Sequence, residues 1–244
     1  MHRLALAALV AAFTLPIQAA PNINVGTIFD YLDGAQTTYL KRIYNSGDST
    51  AFVRVNISEI RYEDGGRREI PLASDGPIDE RKGLVASPAR LIIPVNGMQA
   101  TRLLYLGERD RERYYRVRYV PVIPEKEDQF AVSEAEREAY KKELSAQVNI
   151  MASYGAVFFV RPADTRFDTR IEDTPTRYSV HNAGNSTVML DHFRDCSASD
   201  ERQCEPTRLH HLLPGKTHTV DKAPGRVYRF NLVEGAERRV MHIE

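Results

Sequence analysis

Two cysteines, Cys196 and Cys204, stand close together with His192, His210 and His211 around them, and such a set can do one of two things. Oxidised, the thiols form a disulfide; reduced, they and the imidazoles could hold a metal ion. The spacing argues against metal. Neither cysteine belongs to a C-x-x-C unit, and a polar Ser-Ala-Ser-Asp-Glu-Arg-Gln stretch separates them. His210 and His211, if on one strand, point to opposite faces and make poor co-ligands. Other chemistry is harder to find. There is no Gly-rich phosphate loop, no G-x-S-x-G elbow and no H-E-x-x-H pair. Acidic residues gather in charged stretches such as Glu108 to Glu112, which read as solvated surface. Nothing here specifies a reaction, so no catalytic residue, cofactor or metal is expected.

The start of the chain favours the disulfide. His2 and Arg3 precede an uncharged run from Leu4 to Leu15, Pro16 breaks it, and Gln18-Ala19-Ala20 offers small residues for cleavage. Residues 1–20 therefore read as a secretory signal. The run is shorter than the roughly 18 apolar residues a membrane anchor needs, and no later segment comes close, so no stable membrane insertion is expected. An exported chain with two cysteines at short spacing meets an oxidising compartment. Charge says little about partners: 33 Lys and Arg balance 33 Asp and Glu. A nucleic-acid partner finds no basic excess.

The elements that must position these residues are mostly strands. Short alternating runs recur, punctuated by Gly, Pro, Asn and Asp: Phe52 to Ile57, Thr101 to Leu106, Tyr114 to Val120, Tyr178 to Asn182 and Val227 to Leu232. Their close spacing predicts an all-β protein of sandwiches. One segment, Ser133 to Gln147, has helical character and a capping box at Ser133-x-x-Glu136, but its apolar face is weak, so a partly ordered loop fits equally. Arg161-Pro162 follows the apolar run Gly155 to Val160 and ends its ladder. That places two domains at 21–161 and 162–244. A slight echo between Leu91–Gly97 and Leu212–Lys216 suits two similar sandwiches in tandem.

The segment before this break stands out. From Leu144 to Val160 the chain is rich in apolar residues, and at first it alternates: Val148, Ile150, Ala152 and Tyr154 share one face, Asn149, Met151 and Ser153 the other. It could be a long core strand with its apolar face inward. The alternative is an edge strand kept apolar because a partner covers it, since bare edges are normally blunted. Periodicity alone favours the first.

Several stretches together resemble the periplasmic chaperones of chaperone–usher pili, in particular the alternate branch serving common-pilus and colonisation-factor fimbriae. Ser87-Pro88-Ala89-Arg90-Leu91-Ile92-Ile93-Pro94, Glu112-Arg113-Tyr114-Tyr115-Arg116-Val117 and Tyr154 to Pro162 carry the match in the first half. His181 to Thr187, the Cys196/Cys204 pair and Leu213-Pro214-Gly215-Lys216 carry it in the second. The resemblance implies two immunoglobulin-like sandwiches in a boomerang arrangement and a periplasmic location. It implies a chaperone that lends a strand to an incomplete pilin, the mode known as β-strand addition. Pilin subunits, a tip adhesin and an outer-membrane usher are the implied partners. Carried over by position, the donor strand is Val148, Ile150, Ala152 and Tyr154, which tips the edge-strand reading ahead. A structural or adhesin-like surface component is the rival reading; a pilin, however, carries its donor strand at its N-terminus.

One departure matters. The conventional branch holds the pilin's terminal carboxylate with two basic residues in the cleft between domains. Here the lysine position falls on Val157 and the arginine position near Ile28-Phe29. Lys41, Arg42, Arg116 and Arg161 are the substitutes considered, with Arg170 behind them; arginine suits a carboxylate because its fork can bind both oxygens. For each, a solvated strand charge is the plainer role.

Overall fold

The computed structural model describes residues 20–63, 66–73, 81–145 and 151–244. Among the described residues, ten strands and one α-helix precede Arg161: β1 (Ile23–Asn24), β2 (Phe29–Leu32), β3 (Thr38–Asn45), β4 (Ala51–Glu63), β5 (Gly66–Pro71), β6 (Gly83–Ser87), β7 (Arg90–Ile93), β8 (Met98–Leu106), β9 (Arg113–Val122), α1 (Glu134–Ser145) and β10 (Tyr154–Val160). They form two sheets: β1-β3-β8-β6 faces β2-β10-β9-β4-β5, with β7 paired to β4. Strand alternation explains the sandwich. Ile43, Val53, Val55, Leu103, Val117 and Phe158 all point between the sheets and are buried. Each such burial contributes about 1.5–3 kcal/mol.

Seven strands follow: β11 (Thr169–Asp173), β12 (Arg177–Asn182), β13 (Val188–Ser197), β14 (Arg208–Leu212), β15 (Thr217–Asp221), β16 (Arg226–Glu234) and β17 (Glu237–Ile243). They make a second sandwich from the sheets β11-β12-β15 and β14-β13-β16-β17. Its core is Tyr178, Val180, Leu190, Phe193, Phe230 and Leu232. Cys196 and Cys204 form a disulfide that closes the polar loop after β13.

The two sandwiches share a corner that explains the sequence echo. In the first, the buried Asn45 amide donates to the carbonyls of Ser49 (2.8 Å) and Ile93 (3.1 Å), and its oxygen accepts from Gly47 N–H (3.0 Å). In the second, the Asn182 amide donates to Ser186 (2.9 Å) and Leu212 (2.8 Å), and its oxygen accepts from Gly184 N–H (3.0 Å). An Asn-x-Gly-x-Ser stretch thus ties a turn to the Leu/Ile-Pro turn of another strand in each half. A buried amide must find partners, and here each does so twice over.

Of the segment Ser133 to Gln147, Glu134–Ser145 is a helix, and residues 146–147 lie outside the described residues. The capping box forms, with Ser133 N–H donating to Glu136 (2.7 Å) and Glu136 N–H to Ser133 Oγ (3.3 Å). Tyr140 and Leu144, one turn apart, pack with Phe130 on Phe52 of β4, and the Tyr140 hydroxyl donates to Thr50 O (2.6 Å). The Leu144–Val160 run is therefore not one strand: Leu144 belongs to the helix, and β10 begins at Tyr154. The weak apolar face was enough because it covers one end of a sandwich rather than a whole sheet. Among the described residues no helix is long and apolar enough to cross a membrane.

Candidate functional site

The site is an open strand edge at the end of the first sandwich. β10 lies between β9, antiparallel along its full length, and β2, parallel but only from Val157 to Val160. Val157 N–H donates to Ile28 O (2.8 Å) and Arg161 N–H to Leu32 O (3.0 Å), so odd-numbered backbone groups point toward β2. By strand alternation those of Gly155 point the same way. Along Tyr154–Ala156, no strand lies on that side among the described residues. Unpaired backbone of this kind is a template for another chain.

Inward, Ala156, Phe158 and Val160 are buried in the first core, and Tyr154 is half-buried against it. The described part of β10 is thus a core strand on one face and an open edge at its start. Tyr154, assigned by resemblance to a client, packs on its own sandwich. Ala152 is exposed and lies in no strand. Val148 and Ile150 lie outside the described residues.

Outward, one row crosses the sheet: Phe29, Val157, Arg116 and Ser58 stand side by side on β2, β10, β9 and β4. Val157 itself carries no charge, and a cation, Arg116, stands beside it one strand over. Its Nη1 reaches back over β10 to donate to Gly155 O (3.3 Å), and its Nε donates to Glu69 on β5 (3.5 Å). Arg118, two residues on and on the same face, donates to Glu69 at 2.5 Å, and Arg67 lies 3.6 Å away. The hydrogen bond from Arg118 holds the Glu69 carboxyl below the usual carboxylate range.

The other anchor substitutes sit elsewhere. Lys41 is not a solvated charge: it points between the sheets, donates to Asp30 (2.6 Å) and Thr27 O (2.6 Å), and is buried with its partner. It staples the crossover by which the chain leaves β1 in one sheet for β2 in the other. Arg42 is exposed on the outer face of β3. Arg161 is also buried; it pairs with Asp33 (2.6 Å) and lies over the rings of Tyr31 and Phe167. Desolvation explains both corrections, because a buried cation persists only when paired. Arg170 is exposed and pairs with Asp168 (2.8 Å).

The junction between sandwiches is also held by residues whose role sequence reasoning missed. Glu112, 7% exposed, accepts from Ser186 Oγ (2.8 Å), Thr187 N–H (2.9 Å) and Thr187 Oγ1 (2.5 Å) across the junction, and from Tyr114 (3.0 Å). Taking Glu108 to Glu112 as solvated surface was wrong for its last member. His211 of β14 packs on Phe29 (4.2 Å) and Phe159 (5.3 Å) of the first sandwich. His210, on the opposite face, meets Phe193 and His218, as the alternation of a strand requires. The Arg116-Arg118 pairing was legible: both sit at even spacing in Arg113-Tyr114-Tyr115-Arg116-Val117-Arg118. Their partner Glu69 was not, lying more than forty residues earlier (|i−j| of 47 from Arg116).

No family model matches the chain. A protein of Klebsiella pneumoniae named "Probable fimbrial chaperone EcpB" is 27% identical over 240 residues, covering 98% of this chain and 92% of that one. A protein of the same name from Escherichia coli O7:K1 is 29% identical over 219 residues, covering 88% and 86%. Among solved structures, the class 5 fimbriae chaperone CfaA matches with TM-score 0.55 at 18% identity, over 91% of this chain and 99% of that one. The E. coli chaperone DraB matches with TM-score 0.54 at 14% identity, over 93% and 98%. The resemblance read from the sequence is borne out: this chain has the two-domain immunoglobulin-like fold of the fimbrial chaperones and is similar along nearly its whole length to proteins that carry that name.

Proposed function

We propose that this protein is a periplasmic chaperone that captures fimbrial subunits by strand addition at the β10 edge and delivers them to an outer-membrane usher. It acts stoichiometrically and has no catalytic activity. Residues 1–20 direct export, 21–161 form the subunit-binding domain and 162–244 the second domain. The observation that carries this reading is the open edge at Tyr154–Ala156, entered from the apolar alternating segment that includes Val148, Ile150 and Ala152. A subunit lacking a strand exposes a hydrophobic groove and unpaired backbone; an added strand satisfies both, with alternate side chains filling the groove. Arg116, in register with Val157, anchors the subunit's terminal carboxylate. The names of the relatives support a chaperone over the rival structural or adhesin-like component.

Ile150→Asp tests it. A carboxylate placed in an apolar groove costs several kcal/mol, so subunits should no longer co-purify from periplasm while the variant's melting stays unchanged. A collapsed melting transition would mean that Ile150 belongs to the chaperone's own core, and the donor assignment would fall.

A further inference from the structure

The arginine cluster beside the open edge is out of balance. Arg67, Arg116 and Arg118 surround Glu69, three guanidinium groups against one carboxylate, a surplus of two positive charges among the described residues. Each guanidinium carries five N–H donors and Glu69 offers two oxygens, so most donors there have no carboxylate to meet. The site is also built for close approach. A Cβ at Gly155 would sit 3.3 Å from Arg116 Cδ, so the bare strand is what lets Arg116 lie across β10 to the Gly155 carbonyl on the side away from β9. Arg116 is half-buried, Arg118 more exposed, and both side chains converge on a single half-buried carboxylate.

We infer that Glu69 is a resident carboxylate: it holds Arg116 and Arg118 in place until the carboxylate of an incoming extended peptide takes its position. This rests on the strand-addition reading and adds to it an internal competitor. The incoming backbone would pair with Gly155 along the open edge, and Arg116 already touches that carbonyl, so backbone pairing and anion binding meet on one side chain. Glu69 keeps the two cations from repelling each other while the edge is bare. It also sets a threshold, since a ligand must offer a carboxylate good enough to displace it. A chain end or an acidic side chain would both supply that group.

The test reads the Nε–Hε resonances of Arg116 and Arg118 in labelled full-length protein titrated with acetate. Glu69→Gln removes the competing charge and should tighten acetate about fivefold, the scale of one partly exposed ion pair. Arg116→Ala should abolish the response. Gly155→Ala should weaken it by pushing Arg116 aside, with the melting temperature unchanged, because the crowded atom belongs to a flexible side chain. Two peptides separate the sources: Val-Thr-Val-Thr-Val-Thr with a free terminus, and Val-Thr-Val-Thr-Val-Glu with an amidated one. Tighter binding of either by Glu69→Gln supports the inference and says which carboxylate is preferred. Equal affinity of wild type and Glu69→Gln for acetate and for both peptides overturns it. Subunit capture lost in Ile150→Asp would still stand in that case, so the two readings fail separately.

Discussion

His211 makes the junction of the two sandwiches sensitive to acid. Its ring lies against Phe29 and Phe159, and its Nε2 is sealed from solvent without a hydrogen-bond partner. Burial pushes the imidazole down to about 4, helped by His210 and opposed by Asp191; the two rings packed on it from the first sandwich carry no charge. An unfolded histidine titrates near 6.5. The folded protein therefore binds this proton less readily than the unfolded chain. The contribution of this group to stability is complete above about pH 6.5 and is lost as the pH drops toward 4. Between pH 7.5 and 5.0 the linkage amounts to about 2 kcal/mol, or between about 1 and 2 after solvent screening of a partly exposed ring. His211→Phe keeps the aromatic contact and removes the proton site. His210 and His218, also lowered chiefly by burial, remain in both proteins, so urea unfolding at the two pH values should show the variant losing about 1–2 kcal/mol less than wild type. An NMR titration placing His211 at 6 or above, or identical pH dependence in the two proteins, would refute the argument.

Three further outcomes follow from buried contacts. Glu112→Ala leaves the Thr187 N–H and the hydroxyls of Ser186, Thr187 and Tyr114 without their acceptor. It should cost about 3 kcal/mol and split one calorimetric transition into two as the sandwiches uncouple. Lys41→Ala strands Asp30 inside the first sandwich and should cost about 3–5 kcal/mol in urea unfolding, whereas Arg42→Ala should change stability by less than about 0.5 kcal/mol. Tyr140→Ala removes the main contact of α1 with Phe52. A loss of about 2–3 kcal/mol should appear as faster hydrogen exchange in residues 134–145, with β9 and β4 still protected.

Local pattern was enough for much of this protein. Period-two alternation located the strands around Val55, Val117, Val180 and Phe230, because a half-buried strand must show one face to the core. The Ser133/Glu136 box announced the helix start, since its two hydrogen bonds close within one turn. Two cysteines across a polar loop announced the disulfide. What the sequence could not decide were the partners that the fold brings from another element. Leu144 looked like part of a strand because its helical contact, Phe52, lies on β4. Lys41 looked solvated because Asp30 stands across the sandwich on the other sheet. Glu112 looked like one more loop acid, yet the groups that donate to it, on Ser186 and Thr187, come from a second sandwich, with |i−j| of 74 and 75. Whether a charge is solvated or paired depends on what the fold brings opposite it, and alternation along one strand carries no record of that. The open edge of β10 is the same kind of fact: the residues of Tyr154–Ala156 fix a strand, but only the point where β2 begins, opposite Val157, leaves that stretch without a second strand neighbour among the described residues.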